Sequence, residues 1–276
     1  DGQALTASDF GDYNSDTGVW QPKKYTGTYG TNGFYLKGRG TDNSGNGNNW
    51  TENNFNTTNS ALTTYDIMTD VPTLTDEDTA NFATMNAVWN VSTTGNAVRA
   101  TLTEGNLRAS PSASGSWNQG LSTICATSSG KYYAEFKYES GSGDACIGIG
   151  ADTFTGPYVL GSSTDSYGYF TNGNKFYNNT GAGVAYGTSW GSGDIIGVAF
   201  DLDAGTLTFY KNNVSQGTAF TGISTTTKWL IGTSMTSSAN IVANYGQRPF
   251  TYTPPTGYLK LNTFNLPDSS IVDGSE

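Results

Sequence analysis

From Phe82 onward, short apolar runs recur about every eight to twelve positions, each closed by Gly, Asn, Asp or Ser. That spacing is too short for helices and suits strands joined by tight turns, as in a β-sandwich or barrel. The 36 glycines supply the turns, and no stretch repeats Leu, Ala, Glu or Lys at helical spacing for more than a turn or two. Aromatic residues reach 13 % while charged residues are also only 13 %, the reverse of a disordered chain. The expectation is an all-β protein.

Individual strands can be read directly. Lys131–Tyr138 alternates, with Tyr132, Ala134, Phe136 and Tyr138 on one face and Lys131, Tyr133, Glu135 and Lys137 on the other. Asp194–Phe200 is almost continuously apolar and is expected to be buried on both faces. Asp203-Ala204-Gly205 turns the chain into Thr206–Tyr210, and Lys211-Asn212-Asn213 turns it again, giving an antiparallel three-strand meander.

Composition excludes several functions. The chain has no histidine, which removes Ser-His-Asp and Cys-His catalysis, His-ligated zinc and the usual general base near neutral pH. Cys125 and Cys146 are too few for a four-thiolate zinc site, and each sits in an apolar context that suits a buried free thiol. A net charge of −10 argues against nucleic acid, and no apolar run approaches a membrane span. No cofactor is expected.

The order of the strand motifs resembles the SPRY domain. Gly193–Asp203 followed by Gly205–Asn212 looks like that family's paired strand and hairpin. Ser129–Phe136 resembles its Tyr- and Glu-containing strand, Ile147–Gly150 its glycine-alternating strand, and Asn244–Phe250 its closing motif. Asn213 stands where the family often has Gly, and Asn tolerates left-handed geometry. The resemblance implies an antiparallel β-sandwich of the SPRY, concanavalin-like jelly-roll type over residues 76–250. Residues 1–75, rich in Gly, Asn and Thr, are expected as an extended polar N-terminal arm or the end of a preceding domain, and residues 251–276 as a Pro-containing linker. Gly30–Leu36 and Asp42–Trp50 resemble linker sequence in virion proteins of tailed bacteriophages. Asp1–Leu5 looks like the end of a preceding module, and Leu266-Pro267-Asp268 with Asp273-Gly274 like the lead into a following one.

SPRY domains bind partners through rim loops, so the resemblance implies a non-enzymatic recognition role. Trp117, Phe154, Tyr158, Tyr186 and Trp190 are the expected ligand-binding rim residues, aromatic groups set among small polar ones. The expected setting is the virion, as a structural or host-recognition module of a fibre or appendage. Its partners would be other virion proteins, copies of itself as a homotrimer, or a host surface glycan or protein. A secreted bacterial carbohydrate-binding or adhesion module is the alternative. Glu135 and Glu139 share one strand face, as a glycosidase pair would. Lys137 between them would keep both ionised, so a solvated, charge-paired face is the better expectation. Asp42, Ser44 and Asn46 have the opening spacing of a calcium loop, but position twelve is Asn53, so a Gly/Asn turn is preferred to a metal site.

Overall fold

The computed structural model describes residues 4–15, 18–36, 40–51, 53, 77–78, 80–89, 96–156, 158–178 and 181–267. The chain divides into two compact units, Asp1–Phe55 and Asn56–Glu276. Among the described residues the only helical element is a single 3-10 turn, Ala7–Asp9; the rest of the regular structure is strand.

The first unit contains the hairpin of β1 (Gly11–Tyr13) and β2 (Trp20–Pro22). The described part of the expected extended arm instead folds on itself. Asp42 accepts the backbone N–H of Tyr35, Ser44 and Asn48, and the Asn46 amide donates to the carbonyls of Gly30 and Gly33. A polar Gly/Asn segment has no apolar face to bury, so its short side chains satisfy the backbone in place of a strand ladder. Residues 54–76 lie outside the described residues, as do Asp268, Asp273 and Gly274 of the expected lead into another module.

The second unit is a SPRY-like β-sandwich. Its strands are β3 (Ala97–Arg99), β4 (Thr101–Thr103), β5 (Arg108–Ser110), β6 (Trp117–Leu121), β7 (Lys131–Ser140) and β8 (Ala145–Ala151). They continue as β9 (Ser166–Phe170), β10 (Asn174–Tyr177), β11 (Val184–Ala185), β12 (Ile195–Asp201) and β13 (Thr206–Lys211). The last are β14 (Val214–Phe220), β15 (Trp229–Met235), β16 (Asn240–Asn244) and β17 (Leu259–Lys260). One sheet runs β11-β10-β9-β8-β15-β6-β3, and the other β14-β13-β12-β7-β16-β5-β4, with β17 also pairing β7. Pairing is antiparallel except for β3 with β6 and β17 with β7.

The predicted meander is β12-β13-β14, and β12 is buried along its whole length. Tyr132, Ala134, Phe136 and Tyr138 of β7 enter the core between the sheets, opposite Ile147 and Ile149 of β8, as period-two alternation requires. Asn212 and Asn213 adopt φ values of 47° and 69°, the left-handed pair that a two-residue hairpin needs.

The sandwich does not stop at Phe250. After β16 leaves the middle of β7, the chain returns and β17 pairs with Tyr132 and Tyr133. Leu261 is fully buried, Thr263 donates to the Asn81 carbonyl, and Ala83 to that of Leu261. The segment expected as a linker is thus part of the fold as far as Asn265, because it covers ladder and core that β16 leaves open. Cys125 and Cys146 are both free thiols. Cys146 is buried in β8, whereas Cys125 is half-buried in the loop after β6 and not in a strand.

Candidate functional site

The outward face of the β8–β9–β15 sheet is built for close approach. Cys146, Gly148 and Gly150 of β8 stand in register with Phe170, Gly168 and Ser166 of β9, and with Ser234, Gly232 and Leu230 of β15. These mostly small side chains let the β8–β9 connection lie directly on the sheet. The Leu160 carbonyl accepts from Cys146 Sγ at 3.4 Å, and the Leu160 N–H donates to Ser234 Oγ at 3.1 Å. Gln119, on the same face of β6, donates from Nε2 to the carbonyls of Gly156 and Tyr158. A methyl group added at Gly168 would sit 2.3 Å from Cys146 Sγ and 2.8 Å from the Leu160 carbonyl oxygen.

Where this connection meets the strand ends, a cleft of about 490 Å³ opens. Trp117 begins β6 and stands edge-on to Phe170, the last residue of β9, with ring centres 5.8 Å apart. Phe170 packs on Phe176 of β10 at 5.2 Å, and Tyr158, 43 % exposed, closes the near side. Val159, Ser162 and Asn172 also line the cleft. Ser162 is 8 % exposed, and its Oγ has no hydrogen-bond partner among the described residues. The Gln119 Oε1, buried under the same connection, also has none. Apolar walls with a few unsatisfied polar atoms suit a ligand that brings an apolar group and its own hydrogen-bonding atoms.

The five expected rim residues divide between this cleft and the core. Trp117 and Tyr158 line the cleft together. Phe154 is buried against Gly150. Trp190 is buried against Tyr138 and Tyr169. Tyr186 packs on Tyr169 and Phe209, donates to the Gly217 carbonyl, and accepts from the Phe209 N–H, with burial pushing its hydroxyl up to about 12. Trp190 and the half-buried Tyr186 pack on the core aromatics, while Phe154 is buried on the outward glycine face of β8. The sequence reading missed Phe170 and Phe176. A signal for Phe170 existed: Tyr167 and Tyr169 are its core-facing neighbours, so alternation sends Phe170 outward.

The carboxylates are committed elsewhere. Glu135 is fully buried, which corrects the solvated strand face expected for it. Its oxygens accept the N–H groups of Thr251 at 2.8 Å and Tyr252 at 2.9 Å, and Tyr133 Oη lies 3.4 Å away. Phe250 packs edge-on against Tyr133 and, with the residues that follow, covers this face of β7. Desolvation raises the Glu135 carboxyl above its ordinary range, opposed by the two backbone hydrogen bonds. Glu139 pairs with Arg108 at 2.6 Å.

The calcium-like loop is a turn network. Ser44 Oγ donates to Asp42 Oδ2 at 2.7 Å, and the Tyr35 N–H heads the donors that hold the Asp42 carboxyl down at about 2. Both Asp42 oxygens and the Asn46 amide nitrogen are thus turned inward to protein partners. Among the described residues no three acidic, Cys or His side chains gather at metal-binding distance.

Comparison with known proteins agrees with the strand motifs. A family model described as "SPRY domain" matches residues 131–248. The chain is 31 % identical over 128 residues to a Ran-binding proteins 9/10 homolog of Drosophila melanogaster, covering 46 % of this chain and 13 % of that protein. It is 30 % identical over 158 residues to human Ran-binding protein 9, covering 55 % of this chain and 22 % of that protein. The chain thus spans well under a third of the length of these relatives. The crystal structure of the SPRY domain of human HERC1 superposes with a TM-score of 0.44 at 22 % identity, covering 51 % of this chain and 90 % of that one. Residues 131–248, from the core-facing tyrosines of β7 to the closing Gln247-Arg248, are a SPRY domain.

Proposed function

We propose that this chain is a non-enzymatic recognition module whose cleft receives an apolar side chain from an extended segment of a protein partner. The observation that carries this reading is the outward ring set of Trp117, Tyr158, Phe170 and Phe176 around a space of about 490 Å³. Aromatic rings in a preformed concavity are the usual anchors of protein interfaces. The relatives named for binding Ran support a protein ligand over a small molecule. Ser162 Oγ, in the lining of the cleft, would take a hydrogen bond from the partner's backbone or from a side chain beside the anchor.

A non-catalytic role accords with the chain's chemistry. The sequence has no histidine, Glu135 is held by two backbone amides, and Glu139 by Arg108. The virion surface is the setting we propose on the flanking sequence, with copies of the chain associating as trimers; light scattering that gives a monomer at micromolar concentration would count against that setting. For the cleft itself, Trp117→Ala should weaken partner binding by about 2 kcal/mol or more, roughly 30-fold, without unfolding the sandwich. Unchanged affinity in that variant would reject the cleft as the site.

A further inference from the structure

The first unit holds a second concavity that none of the SPRY motifs touches. It lies wholly within residues 5–35 and has a volume of about 700 Å³. Its wall is a run of rings: Phe10 stacks on Tyr25 at 5.6 Å, Tyr25 meets Tyr29 edge-on at 5.2 Å, and Tyr29 stacks on Tyr35 at 6.2 Å. Thr28 and Asn32 add a hydroxyl and an amide to the same lining.

Its charge runs against that of the chain. The whole sequence carries 23 acidic and 13 basic side chains, yet among the described residues the charged side chains that line this cleft are Lys23 and Lys24. Lys24 Nζ stands 5.9 Å from the centre of the Tyr35 ring. Lys23 reaches outward to Asp12 at 3.6 Å, an exposed pair that is cheaply exchanged for another anion. Two cations at the rim of an aromatic wall ask for a ligand with a flat or ring-shaped body and one or two negative groups.

The wall is also held in place before any ligand arrives. The Asn46 Nδ2 donates to the carbonyls of Gly30 and Gly33, and the Asn48 Nδ2 to those of Thr31 and Gly33. The Asp42 carboxylate gathers the N–H groups of Tyr35, Ser44 and Asn48. A fixed wall loses little freedom on binding.

We propose that this cleft binds an acidic saccharide, with sugar rings laid on Tyr25, Tyr29 and Tyr35 and a carboxylate held by Lys24. A sugar ring presents C–H bonds on its face and hydroxyls on its rim, and so matches aromatic faces edged by phenolic, threonine and amide groups. Nucleic acid is a poorer match, because a phosphate backbone draws affinity from many cations and this site has two. A purely apolar ligand would bury the lysines and phenols without partners.

The test is titration of the full chain with a uronic acid trimer and a sialylated trisaccharide, beside a neutral glucose trimer, lactose and an oligoglutamate of equal charge. At least one acidic sugar should bind about tenfold or more tightly than its neutral counterpart, a gap of about 1.4 kcal/mol. Raising salt from about 0.05 to about 0.5 M should weaken that binding, since the pairing is exposed. Lys24→Gln should cut affinity about fivefold and Tyr29→Ala more, while Trp117→Ala leaves it unchanged. Lys24 is exposed, so its variant keeps the fold, which circular dichroism checks. Absence of binding by both acidic sugars, equal binding of the neutral ones, oligoglutamate binding as well as either acidic sugar, or no effect of Lys24→Gln would overturn the proposal. Because Trp117→Ala reads the other cleft, a failure here is separable from a failure of the protein-recognition reading.

Discussion

At the scale of single residues, Glu135 and Asp42 show how placement decides what a carboxylate does. Asp42 is half-buried and collects backbone donors, so its proton is held less tightly than in an open chain. The order it gives the backbone at Tyr35, Ser44 and Asn48 is present above the ordinary aspartate pKa of 3.8 and should be lost as pH falls towards about 2. Amide exchange of Tyr35, Ser44 and Asn48 would register the loss. Glu135 behaves oppositely. Burial raises its folded pKa above the ordinary glutamate value of 4.5, so over the window from 4.5 up to the folded pKa the unfolded chain gives up a proton that the folded chain keeps. Stability should therefore fall as pH rises through that window and level off above it. Denaturant titrations at a series of pH values should show this slope in the native chain and not in Glu135→Gln. Glu135→Ala should cost about 1–3 kcal/mol, because it strands two part-buried amides. Asn213 makes a smaller claim: at φ 69° it is already left-handed, so Asn213→Gly should change stability by less than about 0.5 kcal/mol, and Asn213→Val should cost about 1–2 kcal/mol.

At the scale of elements, strand alternation and turn chemistry made much of the sandwich legible. The core face of β7, the double burial of β12 and the Asn212-Asn213 hairpin all follow from local pattern. What alternation cannot reveal is a second layer on an outward face. Glu135 looks solvated in sequence because nothing local says that residues 250–252, more than a hundred positions away, will cover it. The same holds for the cleft. Phe170 and Trp117 are 53 positions apart and meet only because β6 and β9 flank β15 and β8 in one sheet. Phe154, Tyr186 and Trp190 lie in loop-like sequence, yet they pack against Gly150, Tyr169 and Tyr138 and not into the cleft, because burial outcompetes exposure for a large ring. The glycine face of β8, β9 and β15 carries its own prediction. Gly168→Ala should force the β8–β9 connection off the sheet, lower stability by about 1–3 kcal/mol, and weaken partner binding through Tyr158 and Val159. Thermal melts and binding measured on one preparation would check both effects.

At the scale of the whole molecule, the chain holds a SPRY-like sandwich closed by its own C-terminal return, and a small unit with an aromatic, lysine-rimmed cleft. Composition alone reached only all-β, and the ordered strand motifs carried the reading to SPRY. The most direct test of the recognition claim is selection from a random peptide library on the full chain, followed by affinity measurement on wild type, Trp117→Ala and Lys24→Gln. The expected result is enrichment of sequences sharing one aromatic or aliphatic anchor, micromolar binding, about 30-fold loss in Trp117→Ala and none in Lys24→Gln. Failure to enrich any anchor, or peptides that bind Trp117→Ala as well as wild type, would contradict it.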